Sequence, residues 1–486
     1  MRKGNEFKKV VSVALTGVMI AGLTACGSST TGDTAATADT AQAADTTAST
    51  DSATTTATSS DEGKQVISFC FRDDGTGENS ALYKWIKAGY ENWDKKDEVE
   101  IDFAQITASE GDYFTKIALE LADPKTCPDL VCEDTFQLPN DAAAGYLTSM
   151  NDYVANYDDW QTGKYYETMQ KEVTIDGNVY GIPYCTDTRG LWYNRQILTD
   201  AGVIKEGEDW APATWDDVLA ACAAVKEKCP DVVPFWCNSG TATGEATSMQ
   251  TYEMLLYGTG ERLMDNDKWV VSSPGIESSL GFINDIYSNG YGPSLDLVLN
   301  GDASNTSSRE YLPEDKLAIS LDGIWITGNW KENGASPVSD YATKFGLAAM
   351  PTSEGQDPGH MSLTGGWALS IPENSDAKDI TFEFIEHLMD PESCYLDTIL
   401  NQGNLCTRTD VAEMDDYSAQ PFFQQATDFL KFSDYRPQND KYSSVSTCIQ
   451  TMVESVASGA SIKDAEAQYA SDVAQVVGED ATTTLN

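Results

Sequence analysis

Histidine is almost missing from this chain: His360 and His387 are its only two in 486 residues. No Cys-x-x-Cys pair occurs either, so no convincing zinc spacing is present, and neither a metal nor a cofactor is expected. The Gly-x-Ser-x-Gly elbow of serine hydrolases is absent too. Positive charge is scarce, with 31 Lys and Arg against 77 Asp and Glu, a net charge of −46. Such a surface repels polyanions, which excludes nucleic acid as a partner; an uncharged ligand is indifferent to the field. Between Gly27 and Gly63 there is no aromatic residue and no Leu, Ile, Val or Met. That stretch cannot bury enough apolar surface to offset its ordering entropy, so it is expected to be a tether reaching ~33 Å as a random coil.

What is there begins with a targeting pattern. Arg2, Lys3, Lys8 and Lys9 precede an apolar run from Val10 to Leu23, too short to span a bilayer comfortably and typical of a signal segment. It ends in Leu23-Thr24-Ala25-Cys26-Gly27, which resembles a bacterial lipobox. The resemblance implies cleavage before Cys26 and lipid on its thiol and new amine, hence an extracytoplasmic protein held on the cell membrane. No later apolar run is long enough to cross it. Cysteines 70, 127, 132, 185, 222, 229, 237, 394, 406 and 448 remain, an even number that leaves disulfides open without fixing their pairing.

The roughly 420 residues after the tether exceed what a single core usually serves, so two lobes are expected. Val66–Phe71 reads as a strand, broken by Asp73-Asp74-Gly75. A helix follows with Leu82, Ile86, Tyr90 and Trp93 at helical spacing. Val99, Ile101 and Phe103 alternate as a second strand; a helix at 113–122, a strand at Asp129–Cys132 and a helix around Leu138 come next. Strand and helix alternate, which predicts an α/β fold with a mostly parallel sheet and ligands beyond the carboxyl ends of the strands. Thr214 and Asp217 predict a short capping box opening a helix whose buried face is Val218, Leu219, Cys222 and Val225. Asp265–Val271 reads as a hairpin, Leu317–Leu321 as a strand, and 380–389, 445–456 and 465–477 as helices.

Three blocks carry a family resemblance. The first is Gly181-Ile182-Pro183, Leu191-Trp192-Tyr193-Asn194-Arg195, Ala201-Gly202-Val203 and Pro212-Ala213-Thr214-Trp215. The second runs from Lys316 to Asp322-Gly323-Ile324-Trp325, and the third joins Gly346–Pro351 to Gly365-Gly366-Trp367–Pro372. In this order, behind a lipobox and tether, the chain resembles family 1 of the extracellular solute-binding proteins, the group that contains maltodextrin-binding protein. The resemblance implies two α/β lobes that close about a hinge on a ligand, a behaviour known for periplasmic binding proteins. It implies crossings near Pro183–Thr188, Phe345–Pro351 and Asp390–Tyr395. Lobe 1 is then 64–185 plus 348–390, and lobe 2 is 186–347 plus 391–480, behind a signal at 1–25 and the lipidated Cys26 with its tether at 26–63. It also implies a sugar or oligosaccharide ligand, permease subunits of an ABC importer as partners, a monomeric receptor and no catalysis.

A pyranose packs its C–H faces on aromatic rings and needs planar polar partners for its hydroxyls. Trp325, at a strand end, matches a family position that stacks on sugar, and Trp367, behind two glycines, is expected to face it from the other lobe. Arg72, Asp73 and Asp74 after the first strand, Glu133 and Asp134 after the strand at 129–132, and Asp187 at the first crossing are the expected hydroxyl partners. Arg408 resembles the arginine of a family loop, although Cys406 stands where that loop has proline. A surface glycoside hydrolase needs two carboxylates flanking one bond, and nothing in the sequence marks such a pair. A binding protein for a peptide, polyamine or metal chelate stays open beside the sugar reading, which the aromatic candidates favour.

Overall fold

The computed structural model describes residues 64–486 except Asp74 and Ser109. Cys26, the signal and the tether lie outside the described residues. Among the described residues no helix is long and apolar enough to cross a membrane.

The first lobe is built on β1 (Gln65–Asp73), β2 (Val99–Thr107) and β3 (Leu130–Asp134), parallel to one another with β1 in the middle. Strand Gly366–Ser370 adds antiparallel to β3, and strand Ile182–Thr186 adds antiparallel to that, completing five strands. Helix α1 (Ala81–Asn92) starts where the Ser80 hydroxyl accepts from Tyr83 N. Its most buried stripe is Trp85, Ile86 and Gly89, rotated from the expected Leu82–Ile86–Tyr90 face. The reason is close packing: Leu388 lies where a side chain at position 89 would project, so the helix turns its glycine inward.

The second lobe holds four strands in the order Phe345–Ala348, Arg189–Asn194, Leu317–Gly323 and Val233–Trp236. Leu317–Gly323 is antiparallel to Arg189–Asn194 and parallel to Val233–Trp236. The capping box forms before helix Trp215–Lys228: Thr214 accepts from Asp217 N at 3.3 Å, and the Asp217 carboxylate accepts from Thr214 N at 3.0 Å. Such a cap contributes about 1 kcal/mol. The expected hairpin turns at Asn266 and Asp267, both with positive φ, as a two-residue turn requires.

Trp192 and Leu191 alternate across the second sheet, and the apolar core divides accordingly. One cluster joins the first lobe to Trp192, Trp330 and Phe345; the other covers the opposite face with Leu191, Tyr193, Leu255, Ile283 and Val453.

The chain passes between the sheets at Asp187–Thr188, where the first crossing was expected. The other two crossings require correction. Phe345–Ala348 is an edge strand of the second sheet, paired with Asn194 to Leu191. The passage back to the first sheet comes later, at Thr364–Gly365 between strands His360–Leu363 and Gly366–Ser370. Asp390–Tyr395 stays on the first lobe, where the Tyr395 hydroxyl donates to Tyr184 O at 2.7 Å. The third passage leaves Leu405, bridged to Thr186, and runs through short helices packed on Trp192. It then reaches strand Ser433–Asp434 beside Ser362–Leu363 and enters helix Tyr442–Ala457. Residues 348–363 therefore lie with the second lobe and 391–408 with the first. Sheet pairing sets these boundaries, and pairing partners far apart in the chain leave no mark in local sequence.

Candidate functional site

The carboxyl ends of the parallel strands in both sheets meet at the hinge. Asp134 ends β3, and Gly366 and Trp367 begin the strand beside it, Trp367 in register with Asp134. From the second lobe come Arg189, Asp322 and Trp325, with Glu245 on a short helix after strand Val233–Trp236. The lobes touch across this line.

Arg436 makes the main polar connection. Its Nη2 donates to Asp134 Oδ1 at 2.6 Å and to Thr135 Oγ1 at 3.2 Å, while Nη1 donates to Glu245 Oε2 at 3.3 Å. The guanidinium carbon stands 4.7 Å from the centre of the Phe136 ring. Burial pulls the Arg436 pKa down, but Asp134 and Glu245 outweigh it and hold the group charged. An aromatic chain runs parallel to these ion pairs. Trp367 stacks near Phe114 (6.0 Å, 25°), Phe114 meets Phe136 edge-on (5.0 Å, 90°), and Phe136 contacts Tyr442 of the second lobe (6.0 Å).

Behind Glu245 lies a buried acid. The Tyr442 hydroxyl is 2.6 Å from Glu253 Oε1 and 3.0 Å from Glu245 Oε2. The hydroxyl donates toward these two carboxyls, and burial, then Glu245, pushes the Glu253 pKa up to about 8 against the hydrogen bond from Tyr442.

The hinge holds a second pair. Arg189 Nη1 donates to Asp187 Oδ1 and to Leu363 O (3.1 Å), and Gly365 N donates to the same carboxylate oxygen at 3.2 Å. Arg189 lies against the Trp325 ring, 4.9 Å from its centre, and its buried Nε has no partner in the protein. Trp325 is half buried and folds back over Gly323, where any Cβ would overlap the ring. Asp322 is buried beside them, its pKa pushed up to about 7 by burial against the hydrogen bond from Gly323 N.

Trp325, Trp367, Asp134 and Asp187 are thus gathered at this edge, although both acids are already engaged with arginines. The other five expected residues change role or fall outside. The Asp73 carboxylate accepts from Thr76 N (3.0 Å), Gly77 N (2.9 Å) and Thr107 Oγ1 (2.9 Å), closing its own turn. Glu133 alternates to the face opposite Asp134 and sits fully buried in the first lobe; burial, then Asp141, raises its pKa well above the carboxylate range. Arg408 is fully buried, its Nη2 donating to Asp159 and Asp410 at 2.7 Å each and Nη1 to Met389 O at 3.3 Å. It holds the first lobe together and has no donor to offer a cleft. Arg72 is half buried and donates Nε to Ala108 O at 3.2 Å, and Asp74 lies outside the described residues.

Sequence reasoning missed Arg189, Arg436, Glu245 and Glu172. Arg189 stands two residues after Asp187 and was within reach; Arg436, over three hundred residues from Asp134 in sequence, gave no local signal. Glu172 lines a small pocket, with room for about one water, together with Thr135, Thr364, Tyr435, Arg436 and Gln438. The ten described cysteines are free thiols, and among the described residues no cluster of His, Cys, Asp and Glu suits a metal ion.

The chain is similar to a lactose-binding protein of Rhizobium radiobacter, 23% identical over 340 residues that cover 68% of this chain and 74% of the relative. In three dimensions it resembles an ABC transporter solute-binding protein of Thermotoga lettingae bound with alpha-D-tagatose. That likeness has a TM-score of 0.72 at 22% identity and covers 85% of this chain and 100% of that one. The maltose-bound T. maritima MalE3 gives a TM-score of 0.71 at 21% identity, over 85% of this chain and 100% of that one. The two-lobed α/β fold is common to them. The model of the bacterial extracellular solute-binding protein family matches residues 73–393 of the 486, and the chain belongs to that family, one of binding proteins rather than enzymes.

Proposed function

We propose that this chain is a lipid-anchored extracytoplasmic receptor that encloses a sugar or oligosaccharide between its lobes and presents it to the membrane subunits of an ABC-type importer. The observation that carries the reading is the composition of the hinge-side cleft. A partly buried tryptophan stands beside buried guanidiniums and carboxylates, and both lobes contribute. Trp325 supplies a face for sugar C–H groups, while Arg189, held by Asp187, keeps an Nε for a hydroxyl. Arg436 and its acids close one lobe on the other. Relatives named for lactose and bound with tagatose or maltose point to the same ligand class.

The test is a thermal-shift and calorimetric screen over mono- and oligosaccharides. A ligand at a hundred times its Kd adds about 2.7 kcal/mol to stability. Sugars recovered intact after incubation support a receptor; shortened products would support a hydrolase, and stabilisation only by peptides or polyamines would replace the ligand class. For the anchor, Cys26→Ala is expected to release the protein from the membrane fraction, and unchanged partitioning would remove that part of the reading.

A further inference from the structure

Phe136 belongs to the first lobe by chain and to the second by packing. It follows β3 in a turn that the Asp134 carboxylate pins, accepting from Phe136 N at 3.2 Å, while Thr135 N donates to Gly366 O at 3.0 Å. The ring is 6% exposed and sits in the apolar cluster of the second lobe, with the Tyr442 ring 6.0 Å away. The Arg436 guanidinium covers it at 4.7 Å. Beside these contacts there is room for about one water, so the lobes meet here in direct contact.

We propose that Phe136 and Arg436 form a latch that holds the receptor closed before ligand arrives and slows ligand release afterwards. The first half rests on the two-lobed hinge alone, the second on the receptor reading above. The seam runs between Arg436 and Glu245. On one side, Arg436 holds Asp134 at 2.6 Å, Thr135 at 3.2 Å and the Phe136 ring, all groups of the first lobe. Two residues on, Gln438 Nε2 donates to Lys171 O of the same lobe at 2.6 Å. On the other side, Glu245 has donors of its own. The Ser446 and Ser248 hydroxyls donate to its Oε1, Ser248 at 3.2 Å, and the Tyr442 hydroxyl lies 3.0 Å from its Oε2. The link from Arg436 to Glu245, at 3.3 Å, is the longest of these polar contacts. When the lobes open, that link and the contact between Phe136 and Tyr442 part. Neither charge is then orphaned, because Arg436 keeps Asp134 and Glu245 keeps its hydroxyls; leaving either one buried and unpaired would be far costlier. What opening exposes is chiefly the Phe136 ring, whose burial favours closure in water whether or not a ligand is present. An aromatic anchor beside a desolvated arginine is also the arrangement of interface hot spots. Closure therefore carries favourable free energy of its own, and a ligand enclosed by the closed lobes inherits it as slower dissociation.

The experiment compares the wild-type full chain with Phe136→Ala and Glu245→Gln by small-angle X-ray scattering and amide hydrogen exchange, first without ligand. Wild type is expected to scatter as the closed form, and both variants to give a larger radius of gyration. In Phe136→Ala, exchange at 135–137 and 241–247 is expected to rise about tenfold or more, the scale of a lost interface anchor. Strands Gln65–Asp73 and Leu317–Gly323 are expected to keep wild-type protection. Loosened strands with an unchanged radius would make Phe136 an ordinary core residue and overturn the latch. A wild-type radius in both variants overturns it too, as does a ligand-free wild type as expanded as they are. Maltose, lactose and maltotriose are then titrated. For one that binds wild type, Phe136→Ala is expected to lower affinity about tenfold, mostly through faster dissociation, and saturating sugar to restore the wild-type radius. Unchanged affinity in an expanded variant overturns the second half of the proposal. If Phe136→Ala does not fold, Glu245→Gln decides alone, since it still accepts from the serine hydroxyls and loses the charge toward Arg436. If none of the three sugars binds wild type, the scattering still decides the latch, and that failure counts against the cleft reading instead.

Discussion

Asp187→Ala separates two views of the hinge. Were Asp187 an open-cleft carboxylate, its removal would weaken ligand binding and leave melting untouched. Its side chain is instead 13% exposed and paired with Arg189 at 6%. Deleting one partner of a buried pair leaves an uncompensated charge and costs about 3–5 kcal/mol. For roughly 420 ordered residues at ~2.1 cal/mol/K each, the unfolding entropy is about 0.9 kcal/mol/K, so melting falls by roughly 3–6 °C. Calorimetric melts of Asp187→Ala, Arg189→Met and Asp187→Ala/Arg189→Met form a double-mutant cycle. The double variant, with both charges gone, is expected to recover most of the loss. A single variant that melts within about 1 °C of wild type would show that the pair is not desolvated and refute the reasoning.

Gly323→Ala places a Cβ inside the Trp325 ring's position, and the displaced indole is expected to cost about tenfold or more in sugar affinity, read by calorimetry, with a small change in melting. Arg408→Met orphans Asp159 and Asp410, both near the surface, so melting is expected to drop by a few degrees while sugar affinity stays at the wild-type value. Stability is expected to fall as pH rises from about 5 to 8. Burial raises Glu172 and Glu253 to about 8 and Asp322 to about 7, so the folded chain keeps protons that the unfolded chain has released. Each retained proton contributes a slope of up to about 1.4 kcal/mol per pH unit, and a melting temperature that is flat or rises over this range would contradict the sign.

The fold was legible where sequence signals are local. Val66–Phe71, the capping box at Thr214 and Asp217, the hairpin at Asn266–Asp267 and the C-terminal helices follow from alternation, caps and turn chemistry, and the structure places them within a few residues. The crossings at Thr364–Gly365 and near Ser433 were not legible, because what defines them is which sheet a strand joins. The site divides in the same way. Positions at strand ends pointed to Trp325, Asp134 and Asp187. Whether a charge at such a position faces ligand or protein depends on partners supplied from elsewhere in the chain. Asp73 bonds its own turn, and Glu133 differs from Asp134 only by the one-residue alternation of a strand.

The buried arginines show the same limit from the other side. Arg189, Arg408 and Arg436 share one arrangement, a guanidinium on an aromatic ring (Trp325, Tyr165 and Phe136, at 4.9, 5.4 and 4.7 Å) with carboxylates at its edge. Arginine suits this role because its planar fork pairs with acids while its face rests on a ring. Their consequences differ by where the partners originate. Asp159 and Asp410 lie with Arg408 on the first lobe, so that pairing forms when the lobe folds. Asp134 belongs to the first lobe and Glu245 to the second, so the full pairing of Arg436 forms only when the lobes meet. The same chemistry thus stabilises folding in one case and closure in the other.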